Sequence, residues 1–168
     1  GIVLSDADYN VLTRNHSAQA SYNGIYLSSG SDFNVLTSNV SETNSEDGIF
    51  LSTANGNVFS GNRSSDNGKE GFWVGETSTL NTFTGDSSTS NTGNGLYLAS
   101  DSNTFTDCLF DLAGDGAGSS KNGVDIAYGD SNTFRGCTSR RARNSGFSLY
   151  GSADSTVLVN CTIADNGE

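Results

Sequence analysis

Apolar and polar residues alternate in short bursts along this chain. Ile25-Tyr26-Leu27, Ile49-Phe50-Leu51, Phe72-Trp73-Val74 and Leu96-Tyr97-Leu98 each repeat an apolar side chain two positions on, and no stretch has a helical period. Period two is the mark of a strand with two distinct faces. The bursts belong to a longer phrase, "GIYLSSGSDFNVLTSN" at residues 24–39, whose copies begin at Gly1, Gly24, Gly48, Gly71, Gly95, Gly123 and Gly146, spaced by 23, 24, 23, 24, 28 and 23 residues. A fixed period of this size signals stacked units, none of which buries its apolar face alone. One apolar column lies one and three residues after each glycine, from Ile2 and Leu4 to Phe147 and Leu149. A second comprises Leu12, Leu36, Phe59, Phe83, Phe105, Phe134 and Leu158. Strands this short pair with their equivalents in the next copy, so the pattern predicts an all-β fold: a parallel β-helix (solenoid) of about seven coils, 23–28 residues each, forming one domain over residues 1–168. Parallel crossovers make it right-handed.

The polar columns refine this picture. Asn10, Asn34, Asn57, Asn81, Asn103 and Asn132 occupy one turn position, where left-handed backbone and hydrogen bonds along the stack are expected. Asn15, Asn39, Asn62, Asp86, Cys108, Cys137 and Cys161 share another, read as a partly buried inward site. Stacked parallel side chains point the same way, which favours free thiols over a disulfide, and no metal-ligand spacing is present. Asp8, Asp32, Asp101, Asp130 and Asp154 form an acidic turn column. Turn capping is the expected role; the alternative is calcium at Asp101, Asp130 and Asp154, and no other cofactor is expected. The glycosylation sequons at Asn15, Asn39 and Asn62 fall on the inward column and read as by-products of the repeat, whereas the one at Asn160 is expected on the surface.

Only 33% of residues are hydrophobic, with 21 Gly and no Pro or Met, a composition that would suit disorder were it not for the repeat. A net charge of −11 argues against nucleic acid as a partner. No apolar run is long enough for membrane insertion as a helix. The chain opens at Gly1 without a leader-like segment, so it is expected to be a portion of a longer chain or a module that stacks end to end on other β-helix modules.

Through "GIYLSS…NVLTSN" and its later form "GLYLASDSNTFTDC", all seven coils resemble the right-handed parallel β-helix repeat proteins. That superfamily includes accessory proteins of nitrous oxide reductase maturation, pectate and alginate lyases and alginate epimerases. The resemblance implies an extracellular or cell-surface protein that handles polysaccharide. The Asp-Pro-His set beside a Tyr associated with the epimerases has no counterpart, since Pro is absent and His16 is the single histidine, so no catalytic residue is carried over. Without Met or a His pair, copper handling is not supported either.

Two features stand out as candidate sites. The residue two after each glycine points outward, and four consecutive coils fill that column with Tyr26, Phe50, Trp73 and Tyr97 before Asp125 breaks it. Such a strip offers ring faces to sugars, although aromatic side chains also favour strands for their own sake. The one long coil carries Asp111, Asp115 and Lys121, and the next carries Arg135, Arg140, Arg141 and Arg143. These cations either hold the carboxylates of an anionic glycan or pair with nearby aspartates. The reading is a module that binds polysaccharide through Tyr26, Phe50, Trp73, Tyr97, Asp125, Lys121, Arg140, Arg141 and Arg143. Its rivals are a lyase or epimerase of uronic-acid polymers with Lys121, Arg141 or Arg143 as base, and a non-catalytic structural spacer or filament.

Overall fold

The computed structural model describes residues 1–75, 77–114 and 121–167. Each copy of the repeat supplies three short strands, and equivalent strands pair in parallel into three seven-stranded sheets, stacked through about six turns. Pairing is in register with the repeat: Ile25 faces Ile49, Leu36 faces Phe59 and Ser41 faces Ser64. The expected solenoid is thus present, with one more sheet than the two apolar columns announce.

The first sheet runs from Ile2–Ser5 to Phe147–Leu149 and turns Ile25, Leu27, Ile49, Leu51, Val74, Leu96, Leu98, Val124 and Ile126 fully inward. The second, from Val11–Thr13 to Val157–Val159, contributes a column of stacked rings. Phe59, Phe83, Phe105 and Phe134 lie 4.5, 4.6 and 4.7 Å apart with interplanar angles of 10°, 7° and 5°. Those separations match the spacing of paired strands, so each ring stacks on its rung-mate without tilting.

The third sheet, from His16–Ala18 to Thr162–Ala164, faces inward with Ser17, Ser41, Ser64, Ser88 and Ser139. Buried hydroxyls need partners. Ser17, Ser41, Ser64 and Ser139 Oγ donate to the carbonyls of Gly24, Gly48, Gly71 and Gly146 at 2.6–2.7 Å. A Cβ placed on Gly24, Gly48 or Gly71 would sit within 1.9 Å of the Oγ of the serine in the same copy, Ser41, Ser64 or Ser88. The glycine that opens these copies is therefore demanded by this close approach.

Polar ladders hold the corners. The Asn10 N–H donates to Asn34 Oδ1, and the same bond links Asn34 to Asn57, Asn57 to Asn81, Asn81 to Asn103 and Asn103 to Asn132, at 2.8–2.9 Å. The left-handed residue is not the asparagine, as expected from sequence, but the one before it: Tyr9, Phe33, Gly56, Leu80, Ser102, Ser131 and Ser155 have φ of 55–62°. The bend is placed on an outward residue, leaving the asparagine side chain free to lie along the stack. A second ladder joins Asn15, Asn39, Asn62 and Asp86. The third, unread in the sequence, joins Ala20 to Asn44, Asn67 and Asn91. In the acidic column Asp8 accepts from the Asp32 N–H, Asp101 from Asp130 and Asp130 from Asp154 at 2.8–2.9 Å, so these carboxylates cap the backbone of the neighbouring coil.

Cys108 and Cys137 are buried free thiols, and Cys161 is a half-buried one. Asn39 and Asn62 are fully buried inside their ladder and closed to a glycan, whereas Asn160 is exposed.

Candidate functional site

The outward column of the first sheet forms a continuous aromatic strip. Tyr26 stacks on Phe50 at 5.0 Å and 8°, Phe50 meets Trp73 at 4.7 Å with a 32° tilt, and Trp73 meets Tyr97 edge-on at 5.8 Å and 90°. Each pair contributes about 0.5–1.5 kcal/mol beyond burial, so the rings support one another. All four remain half-buried rather than covered. The edge-on turn between Trp73 and Tyr97 ends the parallel stack and opens space on both sides of it.

Two clefts flank that point, both walled by Trp73 and Tyr97. One, of about 430 Å³, runs along Phe50, Ser52, Thr53, Gly75, Thr77, Ala99 and Tyr128. The other, of about 340 Å³, is completed by Glu70, Asn94, Lys121, Asp125 and Tyr150. Four sequence-predicted residues, Trp73, Tyr97, Lys121 and Asp125, meet in this second cleft. Glu70, Asn94 and Tyr150 were missed; Glu70 and Asn94 belong to an entirely polar column one residue before each glycine, which was the available signal.

Asp125 stands in register with Tyr97 on the outward face, yet only 8% of it is exposed. Burial pushes its carboxyl above the usual range, against the pull of Asn122, Ser148 and the Lys121 charge. Its Oδ1 has no hydrogen-bond partner. Burial, then the Asp125 charge, raises the Tyr97 hydroxyl, and Tyr150 shifts upward for the same two reasons. Both phenols therefore stay protonated and able to donate.

The arginines are placed elsewhere. Asp111, almost fully buried, accepts from Arg141 Nε at 2.8 Å and from Arg140 Nε at 3.2 Å, and the Arg141 bond above all holds its carboxyl below the usual range. Arg141 and Arg143 line a separate cleft with Leu112, Ala113 and Gly114. The cation cluster is thus divided: Lys121 joins the aromatic strip, Arg140 and Arg141 tie down Asp111, and Asp115 lies outside the described residues.

No three His, Cys, Asp or Glu converge into a metal group among the described residues. Copper takes soft thiolate, thioether or imidazole donors. Here Met is absent, His16 pairs with Glu42 at 2.9 Å on the surface, and a hydrogen bond with Cys137 together with burial holds the Cys108 thiol protonated. The residues present do not fit a copper centre.

Among solved structures, the chain is similar to the A-module of the Azotobacter vinelandii mannuronan C-5 epimerase AlgE4, with a TM-score of 0.67 and 14% identity over 96% of this chain and 54% of that one. It is similar to pectate lyase Pel9A, with a TM-score of 0.66 and 20% identity over 99% of this chain and 46% of the lyase. A variant of the periplasmic alginate epimerase AlgG gives a TM-score of 0.71 and 10% identity over 98% and 50%. The chain spans about half the length of each, and at these identities the likeness is one of fold. No curated protein sequence matches the chain. Residues 1–125 match the sequence profile described as periplasmic copper-binding protein (NosD). The repeated glycine-opened coil, the parallel sheets and this match over most of the sequence place the chain in the NosD family of parallel β-helix proteins.

Proposed function

We propose that this protein is an extracellular, periplasmic or cell-surface module that binds polysaccharide along Tyr26, Phe50, Trp73 and Tyr97, ending in the cleft that holds Lys121 and Asp125. The observation that carries the reading is the strip itself: aromatic residues on four successive rungs of an outward column, flanked by open clefts. Tyr26 and Phe50 are stacked on one another and present their edges, while the edge-on turn between Trp73 and Tyr97 leaves ring surface open to the flanking clefts, where a sugar can rest and the adjoining hydroxyls and carboxylates fix orientation. The epimerases and the lyase of like fold are named for polysaccharide substrates, which supports a carbohydrate-related role.

Turnover of a uronic-acid polymer is the second reading, favoured by Lys121, which makes no ion pair among the described residues and shares its cleft with two phenols. Arg141 serves it poorly as a base because Asp111 holds it charged.

Affinity electrophoresis and calorimetry against neutral and uronic polysaccharides test the proposal. Trp73→Ala and Tyr97→Ala should each weaken binding about tenfold, as expected for aromatic anchors. Absence of binding to every polymer would overturn it and favour the structural rod, and variants that bind like the parent would overturn the strip as the binding site.

A further inference from the structure

Resting on that glycan-binding reading, we infer that the cleft at the end of the strip selects a neutral sugar by reading two adjacent hydroxyls, one with Asp125 and one with Lys121, and that it rejects uronate. Buried polar atoms in this fold are otherwise satisfied: among the described residues only Asp125 Oδ1 and Thr156 Oγ1 lack a partner. A buried acceptor without a donor is costly. Asp125 lines an open cleft with a small exposed fraction, and Oδ1 is buried behind that surface, so a ligand hydroxyl entering the cleft is the donor that the protein does not supply.

Lys121 lines the same cleft, and its charge favours the ionised Asp125, yet the two do not close into an ion pair within 4.0 Å. An acceptor and a donor held apart in this way suit a vicinal diol, in which one hydroxyl donates to the carboxylate and its neighbour accepts from the ammonium. The Trp73 ring supplies the apolar wall against which the sugar face rests.

Charge decides against uronate. Glu70 and Asp125 outnumber Lys121 in the cleft, on a chain of net charge −11. Arg140 and Arg141, the cations suited to a sugar carboxylate, are engaged by Asp111 outside it. A polyuronate therefore meets like charge both on approach and at the site.

The experiment is a titration of the protein with β-1,4-linked hexamers of mannose, of mannuronate and of glucosamine, read by calorimetry and by Trp73 fluorescence. The neutral hexamer should bind about tenfold or more tightly than the uronate, and Asp125→Ala and Lys121→Met should each cost the neutral hexamer about tenfold, with circular dichroism confirming the fold. A neutral analogue lacking the hydroxyl that Asp125 reads should bind the parent and Asp125→Ala alike. Preference for uronate or glucosamine, or full neutral-sugar affinity in both variants, overturns the inference. If Trp73→Ala still abolishes binding in that event, the strip reading stands alone; if no hexamer of any class binds, both fail.

Discussion

The asparagine ladder is the feature most open to quantitative attack, and Asn57 sits at its middle, fully buried. Its Oδ1 accepts from the Asn34 N–H at 2.8 Å and from Asn34 Nδ2 at 3.1 Å, while its own Nδ2 donates to the Ser31 carbonyl and to Asn81 Oδ1, each at 3.1 Å. Asn57→Ala leaves the Asn34 N–H a buried orphan, although Asn34 Nδ2 keeps the Ala7 carbonyl at 2.9 Å. The orphan costs about 1–3 kcal/mol and each of the three other lost bonds about 0.5–1.5 kcal/mol net, giving about 3–7 kcal/mol in total. That is a large share of the roughly 5–15 kcal/mol that holds a domain folded. Asn10→Ala is the control: Asn10 is exposed in the first coil and its side chain only donates, so its loss should cost about 1 kcal/mol. Urea unfolding followed by Trp73 fluorescence and far-ultraviolet circular dichroism measures both. A midpoint for Asn57→Ala no lower than that of Asn10→Ala would refute the claim that the ladder carries stability.

Three further outcomes follow from the same structure. Burial pushes Asp86 from 3.8 up to about 7, so between those values the native state holds more protons than the unfolded chain and this group's contribution to stability falls as pH rises; Asp86→Asn should flatten that part of the pH–stability curve and raise stability above it by a few kcal/mol. Gly71→Ala brings a Cβ to 1.9 Å from Ser88 Oγ and 2.8 Å from the Gly95 carbonyl, which should lower stability by about 1–3 kcal/mol or more in thermal denaturation. In a timed reaction with a thiol reagent, half-buried Cys161 should be modified first, with Cys108 and Cys137 following only as the fold opens.

What the sequence discloses depends on what fills each inward column. The first two sheets are legible because Ile25, Leu27, Phe59 and their equivalents are apolar at a fixed distance from Gly or Asn. The third is not, because serine faces inward there and is accommodated by hydrogen bonds to glycine carbonyls rather than by hydrophobic burial. Its asparagine ladder went unread for the same reason. At the site, the strip could be seen as a column, Asp125 as its interruption and Lys121 as part of a neighbouring cation cluster, but the meeting of Glu70, Tyr150 and Lys121 around Asp125 depends on side chains from separate coils converging. The Arg140–Asp111–Arg141 cluster likewise needs two rungs in register before its pairing is visible.

The third ladder breaks at one place. Asn91 would find its next amide at Ala113, which has none, and the column resumes only where Asn166 accepts from the Ala142 N–H. Between Ala113 and the polar residue that precedes the next glycine, Asn122, the chain has eight residues where its neighbours have two. Between the first asparagine column and the next glycine chain length is therefore quantised: an insertion of one residue there would throw several stacked amides out of phase, whereas the stretch from glycine to asparagine absorbs the one-residue differences between the 23- and 24-residue copies. Only the long coil departs from that count, between Ala113 and Asn122, which makes this stretch of sequence the natural place to graft a foreign loop.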